Sequence, residues 1–341
     1  MPAPPRRFVL LGLTVFISVL FALGAAEAVA RHFYVSPWYD NLIGNTRFNA
    51  RLERTAELGD QAFGLHRLRD KSLDWSSVKS REERRILVLG DSFTYGSGVA
   101  DDAAVFPSLL EQRLNQELRP PDVKHVDVLN GGMPGSLTGH WLALWNKVSD
   151  QYQPDVLLIV FFLRDGTLTG SGGEYLLRIR DEIVVPNHES FLYRHFYLVR
   201  TIRDGLDRKS IGEKYTEGYL QGYFGNEEET AEWQRAQANL LKLQALAREK
   251  SIPVGFVIFP VLIQLNEDYP FRRICDLLEK FATEHGFPVH NLLPAFMGED
   301  ATNLWVSSNN QHPNERGHRI AADSMLPFVK GLLDSHEAGR R

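Results

Sequence analysis

From about residue 84 to residue 333, short apolar runs alternate with longer stretches of helical spacing. The apolar runs are Arg85–Leu89, Val126–Leu129, Val156–Phe162, Val254–Phe259 and Val289–Leu293. Between them lie helical patterns over Phe106–Leu118, Trp141–Tyr152, Glu228–Lys250 and Phe271–His285, and a last one from about Asn314 to Leu333. Strands that alternate with helices predict an α/β fold: a three-layer αβα sandwich around a central parallel sheet of about five strands. Val156–Phe162 is apolar at every position, the pattern of a central strand buried on both faces.

One stretch breaks the rhythm, from residue 166 to about 226. It holds Gly170-Ser-Gly-Gly173, a hairpin pattern over Glu174–Pro186 and an aromatic-rich helical pattern near Phe191–Arg203. An insertion that follows a central strand emerges at the carboxyl end of the sheet, where open α/β folds bind ligands. It is expected to act as a lid or substrate-selecting cap, with a plain packing elaboration as the alternative. Residues 31–83 are polar, dotted with aromatics and weakly periodic, which predicts a linker packed on the edge of an 84–335 domain.

The N-terminus has a different pattern. After Arg6-Arg7 comes an uncharged run from Phe8 to Ala26. Its length is close to the ~20 residues that cross a bilayer as a helix, and longer than the core of a signal peptide. Residues 1–30 therefore predict a signal anchor: a single pass through the inner membrane, with the arginines in the cytoplasm and the domain on the periplasmic or exterior side. Cleavage after Ala28-Val-Ala30 is the alternative.

Composition narrows the function classes. The chain has 341 residues and a formal net charge of −5, with no basic block, so a nucleic acid partner is not expected. The eleven histidines form no cluster with metal-ligand spacing, and neither metal nor organic cofactor is implied. A lone cysteine, Cys275, excludes an intramolecular disulfide, and its helical surroundings suggest a small core residue.

Candidate chemistry gathers at the ends of the predicted strands. Gly90-Asp91-Ser92-Phe-Thr-Tyr-Gly96 follows the first strand and opens a helix. A glycine there permits a sharp turn, and a helix N-terminus favours the negative charge that a serine's attack on a carbonyl creates. A serine hydroxyl also needs a base within hydrogen-bond reach. His312, expected on the loop before the last helix with Pro313 suited to that helix's first turn, lies at the same edge of the sheet.

These motifs resemble the SGNH, or GDSL-like, hydrolases in order and spacing, over about residues 84–333. Gly90-Asp91-Ser92-Phe93 is similar to the family's first block and Asn130-Gly-Gly-Met-Pro-Gly135 to its second. His312-Pro-Asn-Glu-Arg-Gly-His318 is similar to its last. The resemblance implies Ser92 as nucleophile, His312 as base, and the backbone amides of Ser92 and Gly135 as oxyanion donors. Asp91 and Asp165 are supporting residues, and His318 is structural. The chain departs from the family pattern twice. Where an aspartate usually precedes the histidine it has Asn309-Asn310-Gln311, leaving Asn310 to orient the ring. Where the third block usually has asparagine it has Arg164, a candidate third oxyanion donor. The implied activity is that of a serine esterase or O-acyltransferase acting on acyl, in particular acetyl, esters of an envelope glycan. The partners are then an acylated carbohydrate or other ester substrate, and the membrane through the N-terminal helix. The alternative is an impaired member of the fold that binds glycan or acts as a scaffold.

Overall fold

A computed structural model of the chain describes residues 6–35, 69, 79–118, 123–169, 175, 178–308 and 310–340. Most of the expected 31–83 edge segment, and the Gly170–Gly173 turn, lie outside these residues. Helix α1 spans Arg6–Phe33 and is long and apolar enough to cross a membrane, with a mean hydropathy of 2.5 over its most apolar window. The domain then begins with β1 (Glu83–Gly90), the short α2 (Ser92–Tyr95), α3 (Phe106–Arg113), β2 (His125–Gly132), α4 (Thr138–Tyr152) and β3 (Val156–Phe162). The insertion follows, with α5 (Phe191–His195) and α6 (Tyr197–Phe224). After it come α7 (Ala231–Glu249), β4 (Val254–Phe259), α8 (Arg272–Glu284), β5 (Val289–Asn291), β6 (Trp305–Ser307), β7 (Asn310–Pro313) and α9 (Glu315–Arg340).

Five strands form one parallel sheet in the order β2-β1-β3-β4-β5. Helices α3 and α9 pack together on one face, and α4, α7 and α8 cover the other. All seven residues of β3 are buried, as its uninterrupted apolar sequence predicts. Each such side chain contributes about 1.5–3 kcal/mol relative to exposure, so a charged substitution in β3 would meet apolar side chains on either face. The outer edge of β2 is closed by side chains. Asn115 bonds both the N–H and the C=O of Val126, and Glu111 accepts from Val128 N–H. Those bonds occupy ladder groups that an unpaired edge would otherwise offer to another chain. Asn115 lies in residues 114–118, where the expected 106–118 helix continues beyond α3 with wider π-type turns.

The insertion differs from its predicted form. The described part of 174–186 is helical rather than a hairpin, with a wide-turned stretch over Arg180–Val184 that leads into a helix over Val185–His188. Buried Ile179, Val184 and Ile211 hold that stretch against α6. The aromatic pattern near Phe191–Arg203 resolves into α5 and the first turns of a 28-residue α6. The far end of α6 joins the core: Tyr219 and Tyr223 are buried, and the Tyr223 hydroxyl donates to the Leu163 carbonyl at 2.6 Å.

Candidate active site

From β1 the chain passes to β2 on one side, while β3 and β4 lie on the other. The carboxyl ends of β1 and β3 therefore flank a topological switch point, the place where such sheets leave a crevice. Ser92 follows β1 after one residue, Asp91, and Arg164 follows β3 in the single turn Leu163–Gly166. Asp91 starts α2 by accepting the Phe93 N–H at 2.8 Å. The helix lies against the end of β2 because residue 132 is glycine: a Cβ there would stand 2.2 Å from the Tyr95 nitrogen. Phe93, buried, stacks on Phe162 at 3.8 Å between ring centres, which fixes the direction of the Ser92 turn.

His312 sits on β7, the second strand of a two-stranded antiparallel hairpin, and not on a loop as the sequence suggests. Pro313 ends that strand rather than starting a helix. The cap of α9 is Asn314, whose Oδ1 accepts from the N–H groups of Arg316 and Gly317. The indole of Trp305 on β6 donates to the Leu262 carbonyl at 2.7 Å, tying the hairpin to the chain beyond β4. A three-residue strand has no hydrophobic period to betray it, which is why the hairpin escapes a reading by pattern.

The hairpin brings His312 Nε2 to 2.9 Å from Ser92 Oγ. On the other side of the ring, Nδ1 lies 2.6 Å from Asn310 Oδ1. The same oxygen accepts the backbone N–H of His312 at 3.3 Å. Since a backbone N–H can only donate, this second bond orients the amide with its oxygen toward the ring. Nδ1 then carries the proton, and the Nε2 lone pair faces the serine hydroxyl. Ser92 Oγ is also 3.3 Å from Asp91 Oδ2, a longer contact than the one to histidine. Burial, with the positive charge of Arg164 acting in the same direction, lowers the His312 pKa to about 4. The imidazole is thus held neutral, the form that can accept a proton.

Arg164 is half-buried, and one guanidinium nitrogen donates to the Ser136 carbonyl at 3.3 Å. Ser136 follows Gly135, which has φ 76, in a turn closed by the bond from Ser136 N–H to Met133 C=O. That turn is fixed to β1, because the Ser136 hydroxyl donates to the Gly90 carbonyl. Arg164 thus reaches the turn that holds Gly135, and that turn is tied to the end of the strand that precedes Ser92. Burial pushes Asp91 up from the usual carboxylate range, against the pull of Arg164. It pushes Asp165 well up, helped by the charge of Asp91. Asp165 turns back on its own chain and accepts the Phe162 N–H at 2.8 Å, so it shapes the turn that presents Arg164. Among the described residues no group of three or more His, Cys, Asp or Glu side chains could hold a metal ion.

Two candidates set aside in the sequence are core residues here. His318 is buried, accepts the Phe106 N–H at 3.2 Å, and has its pKa lowered to about 3, chiefly by burial. Cys275 is buried, and burial raises its thiol pKa to about 12.

Two residues with a bearing on the site were missed. Gly98 lies beside Asn310: a Cβ there would stand 2.9 Å from the Val306 methyls and 3.1 Å from Asn310 Nδ2. Arg69 holds the intervening loop, donating to the carbonyls of Tyr95, Gly96 and Val99 and to the Asp102 carboxylate. Gly98 follows Gly96 by two positions, a repeat that could have drawn notice. Arg69 lies in a stretch without periodicity, and nothing in the sequence marks it.

A family model described as the GDSL-like lipase/acylhydrolase family matches residues 88–320. An arylesterase of Vibrio mimicus is 34% identical over 90 residues, which cover 26% of this chain and 42% of that protein. The match thus spans less than half the length of this relative. Among solved structures, a catalytic mutant of an acetylxylan esterase from Geobacillus stearothermophilus is 18% identical. That match covers 72% of this chain and 93% of the other, with a TM-score of 0.43. A lipase/acylhydrolase from Enterococcus faecalis is 17% identical over 73% of this chain and 96% of its own, with a TM-score of 0.42.

Proposed function

Since the chain belongs to the GDSL-like lipase/acylhydrolase family, we propose that it is a serine-dependent ester hydrolase in which Ser92 is the nucleophile and His312 its base. One observation carries this reading: the contact of 2.9 Å between Ser92 Oγ and a His312 Nε2 whose partner nitrogen is already committed to Asn310. As Oγ attacks the ester carbonyl, its proton passes to Nε2 and the carbonyl oxygen becomes an oxyanion. The amides of Ser92 and Gly135 and the guanidinium of Arg164 stabilise that charge. His312 returns the proton to the departing alkoxide, leaving an acyl-serine. A second hydroxyl compound, activated by the same imidazole, then takes the acyl group and frees the serine. With water the outcome is hydrolysis, and with a sugar hydroxyl it is O-acyl transfer.

The finer assignment is an acetyl ester of an envelope glycan, handled on the outer side of the membrane that α1 crosses. The acylhydrolase chemistry of the family supports the ester, and the apolar length of α1 supports the location. The aligned Ser92–His312–Asn310 relay favours a working enzyme over a scaffold that has merely kept the fold. A fluorophosphonate probe tests the central claim, because it reacts only with an activated serine. It should label the wild-type chain at Ser92 and leave Ser92→Ala unlabelled; a wild-type chain that resists the probe would refute the assignment.

A further inference from the structure

Helix α6 is amphipathic in the reverse sense at its first turns. Asp204 and Asp207 are buried, while Ile202 and Leu206 are 59% and 61% exposed. The carboxylates are not stranded inside: Asp204 accepts from the hydroxyls of Tyr34 and Tyr193, and Asp207 pairs with Arg203. The preceding α5 also turns its apolar groups outward, with Phe191 67%, Leu192 56% and, just beyond the helix, Phe196 42% exposed. Five large apolar side chains on one short stretch, with carboxylates behind them, mark a surface built to meet an apolar phase.

The position of this surface identifies the phase. The uncharged Phe8–Ala26 run is 19 residues, or about 28 Å of helix, nearly the thickness of a bilayer's hydrocarbon core. Glu27 is the first charge past that run, and it grips the start of α6: its two carboxylate oxygens accept from the N–H groups of Tyr197 and Leu198 at 2.9 and 2.8 Å. Arg31 lies over the Tyr197 ring, and Tyr34 reaches Asp204 two turns along α6. The backbone of α5 is fixed to α6 in turn, because Arg200 donates to the carbonyls of Tyr193 and Arg194. The exposed apolar groups are thereby fastened within a few helical turns of the point where the anchor leaves the hydrocarbon. Arg194, Arg200, Arg203, Arg208 and Lys209 lie on the same stretch, whose only carboxylates, Asp204 and Asp207, are the buried pair. A cationic rim around aromatic and aliphatic groups suits a bilayer interface carrying anionic headgroups.

We propose that the face formed by α5 and the first turns of α6 lies in the headgroup–acyl boundary of the membrane that α1 crosses, so that the insertion holds the catalytic domain in a fixed attitude on the bilayer. This rests on the anchor reading of α1. Two membrane contacts restrict the domain's rotation where one helix would leave it free, and they hold the crevice at a set height above the lipid.

The test uses the full chain in nanodiscs containing anionic lipid, with single spin labels at Val15→Cys, Leu192→Cys, Ile202→Cys and, on an exposed site of α7, Ala238→Cys. Buried Cys275 stays in place, and the unsubstituted chain measures any background labelling. Collision with oxygen, which concentrates in lipid, is compared with collision with a water-soluble nickel chelate. Labels at 192 and 202 should give an oxygen-to-nickel ratio at least about threefold above that at 238, with 15 higher still. Ratios at 192 and 202 equal to that at 238, with 15 deep in lipid, would overturn the proposal and leave the anchor intact. Labels at 192 and 202 shielded from both reagents would overturn it in favour of a protein partner. A label at 15 as wet as that at 238 would remove the anchor, and the proposal with it.

Discussion

Asn310 meets His312 through a single oxygen, which accepts from both the ring Nδ1 and the backbone N–H of the same histidine. That geometry sets the ring's tautomer and direction, as a carboxylate would. It supplies no negative charge for the imidazolium that forms during the reaction.

Asn310→Asp should therefore raise kcat/KM on a simple acetyl ester by between tenfold and about 10⁴-fold, the upper figure being the loss a serine protease suffers on the reverse change. The gain should be largest near neutral pH. Asn310→Ala, which frees the ring, should lower the rate. If the aspartate variant is no faster than wild type on p-nitrophenyl acetate, Asn310 is not standing in for a missing carboxylate.

The base must be neutral to act, and its pKa of about 4 sets the acid limit of activity. Protonation is favoured only below that value, so kcat/KM should hold from neutrality down to about pH 5 and fall through about pH 4. Arg164→Gln removes the second cause of the shift and leaves burial, the first. Its acid limb should move to higher pH without reaching that of a free imidazole. The same change removes an oxyanion donor, with a cost on the order of 10²-fold in kcat. A limb unmoved in Arg164→Gln would show that the guanidinium does not act on His312.

Ser92→Ala and His312→Ala should each abolish esterase turnover while the far- and near-ultraviolet circular dichroism stays as in wild type. Because nucleophile and base work as a unit, the double variant should be little worse than either single one. Full turnover in Ser92→Ala would place the nucleophile elsewhere.

Arg69 acts through the loop it clamps. Its side chain is 9% exposed, and it satisfies three carbonyls and a carboxylate. Arg69→Ala should cost about 1–3 kcal/mol of stability by leaving those acceptors unmatched. It should also lower kcat more than it raises KM, because Gly98 on that loop lies beside Asn310. Arg69→Lys should recover part of the stability but not the fork of contacts. A stability loss with unchanged kcat would reduce Arg69 to a purely structural residue.

The anchor makes a prediction of its own. The full chain should sediment with membranes and resist extraction by high salt or carbonate, and a C-terminal alkaline phosphatase fusion should be active outside the cytoplasm. A full-length chain recovered in the soluble cytoplasmic fraction would contradict the topology.

Physical features that depend on near neighbours in the chain could be read in advance. The five strands follow from short apolar runs, and β3 and β4 match their predicted ends because both faces of a central strand select the same residue types. Ser92 and His312 stand out in the sequence as candidates because short contiguous motifs, Gly90-Asp91-Ser92-Phe93 and His312–His318, resemble blocks of the family. The relay itself was not legible, since Ser92 and His312 are 220 residues apart and only the sheet order and the β6–β7 hairpin bring them to 2.9 Å. The orientation of the Asn310 amide, the reach of Arg164 across to the Gly135 turn, and the clamp of Arg69 likewise depend on contacts between distant segments. The helical form of residues 178–188 belongs with them, because Ile179 and Val184 gain their burial from Ile211 on α6. A hydrophobic period records which way a residue faces, not what it faces, and the chemistry of this crevice lies in the second of these.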